Sequence, residues 1–160
     1  MVTISDKIRQ MIQGQQIIIV GSADKSGLPN VSPRTSFYID QDGSIYWLDL
    51  FKHKTFRNFQ KNPWYSVAVF DKRNLSGYQL KGKIKVISDK RTKQEITIKI
   101  IDKLTRLHRQ RILKYTNDKT PNVIKFTTKI VYSLNPNELA DSPMELDASN
   151  ESLKASSMQW

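Results

Sequence analysis

The feature that most constrains this chain is its punctuation. Short β-favouring runs recur along it, and turn residues stop each one early. Residues 16–23 form the first run, closed by the turn Asp24-Lys25-Ser26-Gly27. A second run, 30–40, alternates. Val31, Pro33, Thr35, Phe37 and Ile39 fall on one side, and Asn30, Ser32, Arg34, Ser36 and Tyr38 on the other. Pro33 has no N–H to donate, so this strand should meet an edge, a bulge or a ligand there. Asp40-Gln41-Asp42-Gly43 is a second hairpin signal, followed by strands over 44–50, 65–71, 77–88 (bent at Gly82) and 123–134. Ser5 caps a short helix with Ile4, Ile8, Met11 and Ile12 on one face and Gly14 near its end. A second short helix opens at Lys54, carries Phe56 and Phe59, and stops at Asn62-Pro63. Over 91–115 the period becomes helical, with overlapping stripes through Ile100, Leu104 and Leu107 and through Ile101, Leu104, His108, Ile112 and Tyr115. Six short strands joined mostly by hairpins predict a mainly β fold with inserted helices. The expected form is a closed or nearly closed antiparallel barrel, with an open α+β sheet as the alternative.

The 160 residues suit one domain with a sizeable core. Zero cysteines exclude a disulfide framework and thiolate chemistry, and two histidines, His53 and His108, leave little for a zinc centre. No metal site is expected. No apolar run is long enough to span a bilayer, and residues 1–6 lack a signal-peptide core, so a cytoplasmic protein without membrane contact is expected. Net charge is +11 and uneven. Residues 137–160 hold five acids and one base, leaving 25 bases against 10 acids in residues 1–136. A basic barrel domain, 1–136, thus carries an acidic tail, 137–160, expected to pack on the body or on a partner subunit. The body's charge suits an anionic partner such as a phosphorylated cofactor.

Lys54 and Thr55 stand at a helix start, where unpaired N–H groups, a full positive charge and a hydroxyl together suit a phosphate. Both lie outside the core pattern. Ser32, Arg34 and Ser36 share one strand face, and a guanidinium there suits bidentate phosphate contact.

At this point several segments, in order and spacing, carry a resemblance. They are Gly27-Leu28-Pro29-Asn30-Val31-Ser32-Pro33, Ile45-Tyr46-Trp47-Leu48-Asp49, Lys54-Thr55-Phe56-Arg57-Asn58-Phe59-Gln60-Lys61-Asn62-Pro63, Tyr65-Ser66-Val67-Ala68-Val69-Phe70 and Tyr78-Gln79-Leu80-Lys81-Gly82-Lys83. Over roughly 16–88 the chain resembles the pyridoxamine 5'-phosphate oxidase-like, FMN-binding split-barrel family. The resemblance implies a six-stranded antiparallel split barrel and a homodimer with FMN between its subunits. It implies that Lys54 and Thr55 hold the phosphate, with His53 as a second basic residue. It also places Val31, Ser32, Pro33, Arg34 and Thr35 beside the ring and ribityl chain, with Trp47, Leu48 and Asp49 close by. The partner subunit is expected to contribute through Gln79 and Lys81.

The implied activity is electron transfer between flavin and a small-molecule substrate. Residues 141–160 lack the arginine-x-histidine segment with which the vitamin-B6 oxidases grip their substrate, so true pyridoxamine phosphate oxidation is not expected. No catalytic acid or base stands out, and the cofactor would carry the chemistry. Deazaflavin F420 is the variant cofactor, since related split barrels bind it. A different class of function, a non-enzymatic basic barrel on nucleic acid, rests on Lys99, Lys103, Arg106, Arg109, Arg111 and Lys114. That stretch lacks the interleaved exposed aromatics of single-strand binders, which counts against it.

Overall fold

The computed structural model describes residues 2–50, 54–115, 121–138 and 144–146. Its strands are β1 (Ile18–Ala23), β2 (Pro29–Arg34), β3 (Phe37–Ile39), β4 (Ile45–Asp49), β5 (Trp64–Asp71), β6 (Ser76–Val86), β7 (Asn122–Ser133) and β8 (Glu145–Leu146). The helices are α1 (Asp6–Gly14), α2 (Lys54–Phe59), α3 (Lys90–Asp102) and α4 (Arg106–Tyr115). The strands form one antiparallel sheet in the order β2-β1-β5-β6-β7-β4-β3, with β8 paired to β7. The fold is mainly β, as expected, but it has eight strands among the described residues rather than six.

The extra strands have two sources. The alternating run 30–40 is two strands, not one. β2 pairs with β1 at one end of the sheet, and β3 pairs with β4 at the other. From Arg34 to Phe37 the chain can reach at most about 11 Å, so the two edges of the sheet must come together, and the sheet curls into a split barrel. Ser36 keeps its carbonyl on β4, accepting from the Leu48 N–H at 3.1 Å. The crossover also shifts parity. Asn30, Ser32 and Arg34 are the sheltered residues of β2, whereas Phe37 and Ile39 are the buried ones of β3. As a terminal strand of the sheet, β2 accommodates Pro29 and Pro33. The second source is the tail: Met144 donates its N–H to Val131 O at 2.7 Å, and β8 then pairs with Ile130 and Val131. Apart from these residues and Pro136–Glu138, which form a short 3-10 turn, the tail lies outside the described residues.

The barrel core holds Ile18, Val20, Ile45, Trp47, Val67, Leu80 and Phe126, and α1 adds Ile8 and Ile12. Ser5 caps α1 as expected, accepting from Ile8 N. A second core lies outside the barrel wall, where Tyr46, Leu48 and Val123 meet Ile96 and Ile100 of α3 and Ile112 of α4. β4 is therefore buried on both faces, which is why it is an unbroken apolar run. The helical stretch 91–115 is two helices. Lys103 and Leu104 close α3 with short-range bonds to Ile100 O and Ile101 O, and the Thr105 hydroxyl accepts from His108 N to start α4. The break exposes Leu107 and Tyr115, which the stripes had placed with the apolar face. No described helix is long and apolar enough to cross a membrane.

Gly82 marks a register shift between β6 and β7, the bend expected there. A Cβ at this position would stand 2.2 Å from the Thr127 carbonyl oxygen and 2.9 Å from Phe126 Cζ. Gly82→Ala should therefore cost about 1–3 kcal/mol through overpacking. At Gly14 a Cβ meets nothing within 4 Å, so Gly14→Ala should be neutral or gain up to about 1 kcal/mol. Urea unfolding compares the two, and indistinguishable midpoints would contradict the close approach.

Tyr65 sits in the barrel core and donates its hydroxyl to the Thr55 carbonyl, tying α2 to the wall. Burial pushes its pKa up from 10.0 to about 12. The folded state thus holds the phenol neutral where the unfolded chain already ionises. Its contribution is complete below pH 10 and is lost as pH rises towards 12. Unfolding measured over that window should show wild type losing stability relative to Tyr65→Phe. A constant difference would refute the assignment.

Candidate functional site

The terminal strand β2 and the first turn of α2 are joined by side chains. The Thr55 hydroxyl accepts from Asn30 Nδ2 at 3.1 Å and shares a hydrogen bond with Ser32 Oγ at 3.2 Å. Asn58 Nδ2, one turn on, donates to Ser22 Oγ of β1 at 3.1 Å. Thr55 is only 5% exposed. Its hydroxyl is already engaged within the chain, and it belongs to the packed interior rather than outside the core. Asn30, Asn58 and Ser22 were not among the expected site residues. Asn30 had a visible signal, because it alternates in phase with Ser32 and Arg34.

Arg34 points into this layer. Its guanidinium lies with Trp47, Asp49, Thr55 and Tyr65 around a small cavity, and Nη1 donates to Pro33 O at 3.1 Å. Nε has no hydrogen-bond partner among the described residues. Burial lowers the pKa of Arg34, and the nearby Asp49 carboxylate opposes that shift. An arginine so placed pairs electrostatically with Asp49 inside the wall.

The other expected site residues divide between faces. Trp47 and Asp49 are buried on β4, whereas Leu48 belongs to the second core beneath α3 and α4. Val31 and Pro33 lie exposed on the outer face of β2, and Thr35 is exposed at the crossover. Gln79 and Lys81 share the outer face of β6, opposite Ala68 and Ser66 of β5. Lys81 Nζ stands 4.8 Å from the Tyr132 ring centroid. Lys54 opens α2, but its side chain, like all of His53, lies outside the described residues.

Two concavities meet at Pro29 and Asn30. One, of about 300 Å3, is bounded by Asp24, Arg57 and Asn58 beside α2. The other, of about 360 Å3, runs over the outer face past Val31, Trp64, Ser66 and Lys81. The structure thus brings Val31 and Lys81 into one depression, with Asn30 linking it to the start of α2. Arg57 is an exposed base on that path that the sequence alone did not single out. Around these depressions the sheet's outer face is apolar or small: Ile19 lies opposite Pro33 and Ala68, and Gly21 lies opposite Val31 and Ser66.

Solved structures share this architecture. HupZ of Group A Streptococcus aligns with a TM-score of 0.63 at 17% identity, over 84% of this chain and 96% of its own. A Clostridium acetobutylicum protein of the pyridoxinephosphate oxidase family, related to general stress protein 26, gives 0.67 at 15%, over 91% and 98%. The heme storage protein HutZ of Vibrio cholerae gives 0.61 at 15%, over 81% and 94%. At these identities the likeness is one of fold. No curated protein matches the chain in sequence. The family model described as pyridoxamine 5'-phosphate oxidase matches residues 4–135, from the approach to α1 through the end of β7, and the chain belongs to that family.

Proposed function

We propose that this chain binds FMN, with the phosphate beside α2 and the ribityl chain and ring along β2, and serves as a flavin-dependent oxidoreductase on a small molecule. The observation that carries this is the continuous depression from Arg57 and Asn58, past Asn30, to Val31 and Lys81. Its α2 end offers the Arg57 guanidinium and the Asn30 and Asn58 amides to a phosphate, with the Asp24 carboxylate engaged by Ser26 and the Leu28 N–H, and its other end is flatter and partly apolar, fit for a ring. β2 pairs only with β1 among the described residues, so one edge of its backbone is free of strand pairing. The Thr55 hydroxyl acts here by fixing Asn30 and Ser32, while Lys54 supplies charge. Bound flavin supplies one- or two-electron chemistry; the chain's residues bind it, orient it and exclude water. A deazaflavin with an acidic tail would use the same Arg57 end.

The outer face favours a homodimer. Ile17 just before β1, Ile19 of β1, Val31 and Phe70 are 45%, 38%, 67% and 47% exposed. A two-fold copy laid on this face would cover that apolar surface and bring a second Lys81 to the flavin path. Single-site charge on the face tests it: wild type should sediment as a dimer of 18.6 kDa chains, and Ile19→Lys as a monomer. A wild-type monomer with flavin bound would rule the dimer out.

Lys54 is the cleaner probe of the phosphate, because a change at buried Thr55 also disturbs packing. Lys54→Ala should weaken FMN by about 10- to 150-fold, the loss of a charge-assisted hydrogen bond worth roughly 1.5–3 kcal/mol. Riboflavin, lacking the phosphate, should bind weakly and nearly alike to both proteins. Fluorescence titration reads both ligands, and the absorbance of the purified protein identifies the cofactor. A Soret band in place of flavin bands would move the chain towards the heme-handling relatives. Equal FMN affinity in wild type and Lys54→Ala would place the phosphate elsewhere.

A further inference from the structure

A separate cleft of about 110 Å3 opens at the other end of β2, where α1 ends, β2 crosses to β3 and α3 gives way to α4. Its polar groups come from three elements distant in sequence. Gln13, Gln15 and Gln16 bring three carboxamides, none bonded to another described residue. Lys103 and His108 come from the α3–α4 junction, and Tyr38 from β3. Lys103 Nζ stands 4.8 Å from the Tyr38 ring centroid, with Lys99 Nζ at 5.3 Å. His108 Nδ1 lies 3.2 Å from Thr105 Oγ1, which orients the ring and leaves Nε2 without a partner among the described residues. No carboxylate lines the cleft. The nearby Asp40 is engaged by the Tyr38 hydroxyl and by the backbone N–H of Gln41.

We propose that this cleft binds a small anionic molecule of about one ring's size, its charge met by Lys103 and its hydrogen-bonding groups by the glutamines and His108. Three features select that ligand. A lysine with no carboxylate beside it leaves positive potential in a partly enclosed space, which favours an anion. Unengaged carboxamides can both donate and accept, so they suit a ligand with polar atoms on its rim. The floor of Phe37, Ile39 and Leu104 supplies apolar contact, and the volume is too small for a nucleotide.

The cleft is set apart from the depressions at Asn30. Thr35 lines it, and Asn30 lines the depression beside α2. Five peptide steps of extended chain separate them, about 16 Å. The flavin ring proposed above lies towards Val31 and Lys81, so the cleft is a site apart from it. The anion selectivity of the cleft does not depend on the flavin reading.

His108 is a built-in reporter, since the chain has only one other histidine. Imidazole NMR signals of the full chain, assigned with a His53→Gln variant, would be followed while nicotinate or its neutral amide, nicotinamide, is added. Nicotinate should shift the His108 signals saturably and nicotinamide should not at the same concentration. Lys103→Gln, an exposed change that leaves the helix intact, should weaken nicotinate about tenfold or more. No saturable shift with nicotinate, equal binding of acid and amide, or an unchanged affinity in Lys103→Gln would each overturn the proposal. Repeating the titration with FMN present separates the two claims. Nicotinate binding in a protein that does not take up FMN sustains the cleft and removes the flavin. FMN binding without a nicotinate response does the reverse.

Discussion

The fold depends on a reach limit. Three peptide steps connect Arg34, at one edge of the sheet, to Phe37, at the other. A sheet of seven consecutive strands left flat would hold those edges far apart, because neighbouring strands sit about 4.8 Å from one another. The covalent chain permits only about 11 Å. Curling is therefore imposed by connectivity, and the right-handed twist of the strands gives the curl its hand. The inward set changes from even to odd residues across this link. One consequence is that a polar trio, Asn30, Ser32 and Arg34, lines one edge of the barrel while Phe37 and Ile39 fill its core.

That polar edge is stable because almost every group in it finds a partner. Asn30 and Ser32 are matched by the Thr55 hydroxyl, Ser22 by Asn58, and Tyr65 by the backbone of α2. Such a network costs little where it is complete and much where one member is removed. It also makes α2 a rigid neighbour of β2 despite the helix being only six residues long. The unpartnered Arg34 Nε is the one described gap, beside the residues that the resemblance associates with the cofactor.

Local signals were legible where they were truly local. The Ser5 cap, the Asp-rich turns and the bend at Gly82 follow from side chains acting within a few residues, and the structure has each. The crossover was not legible, because the run 30–40 alternates without interruption in sequence, and only distant partners divide it. β1 claims one half and β4 the other. Likewise, the apolar stripes of 91–115 continue through the Thr105 break, since one threonine hydroxyl can start a new helix without disturbing the pattern. Thr55 looked like a surface cap for a related reason. The groups that bury it, Asn30 and Ser32, lie 25 and 23 residues away. The polar alternation phase of Arg34 is legible in the sequence, but nothing nearby in sequence announces Asp49 as its neighbour.

The long strand β7 offers one whole edge to β6 and divides the other between β4 and β8. This has a consequence for synthesis on the ribosome. The β1–β2 and β5–β6 hairpins and the β1–β5 pairing are available early. The β3–β4 hairpin has no sheet to join until residues 122–126 emerge roughly seventy residues after it. At about 5–20 residues per second that is a delay of several seconds. During it Tyr46 and Leu48 have α3 and α4 to meet, whereas Trp47 still lacks Ile124 and Phe126 of β7. Barrel closure thus waits for β7.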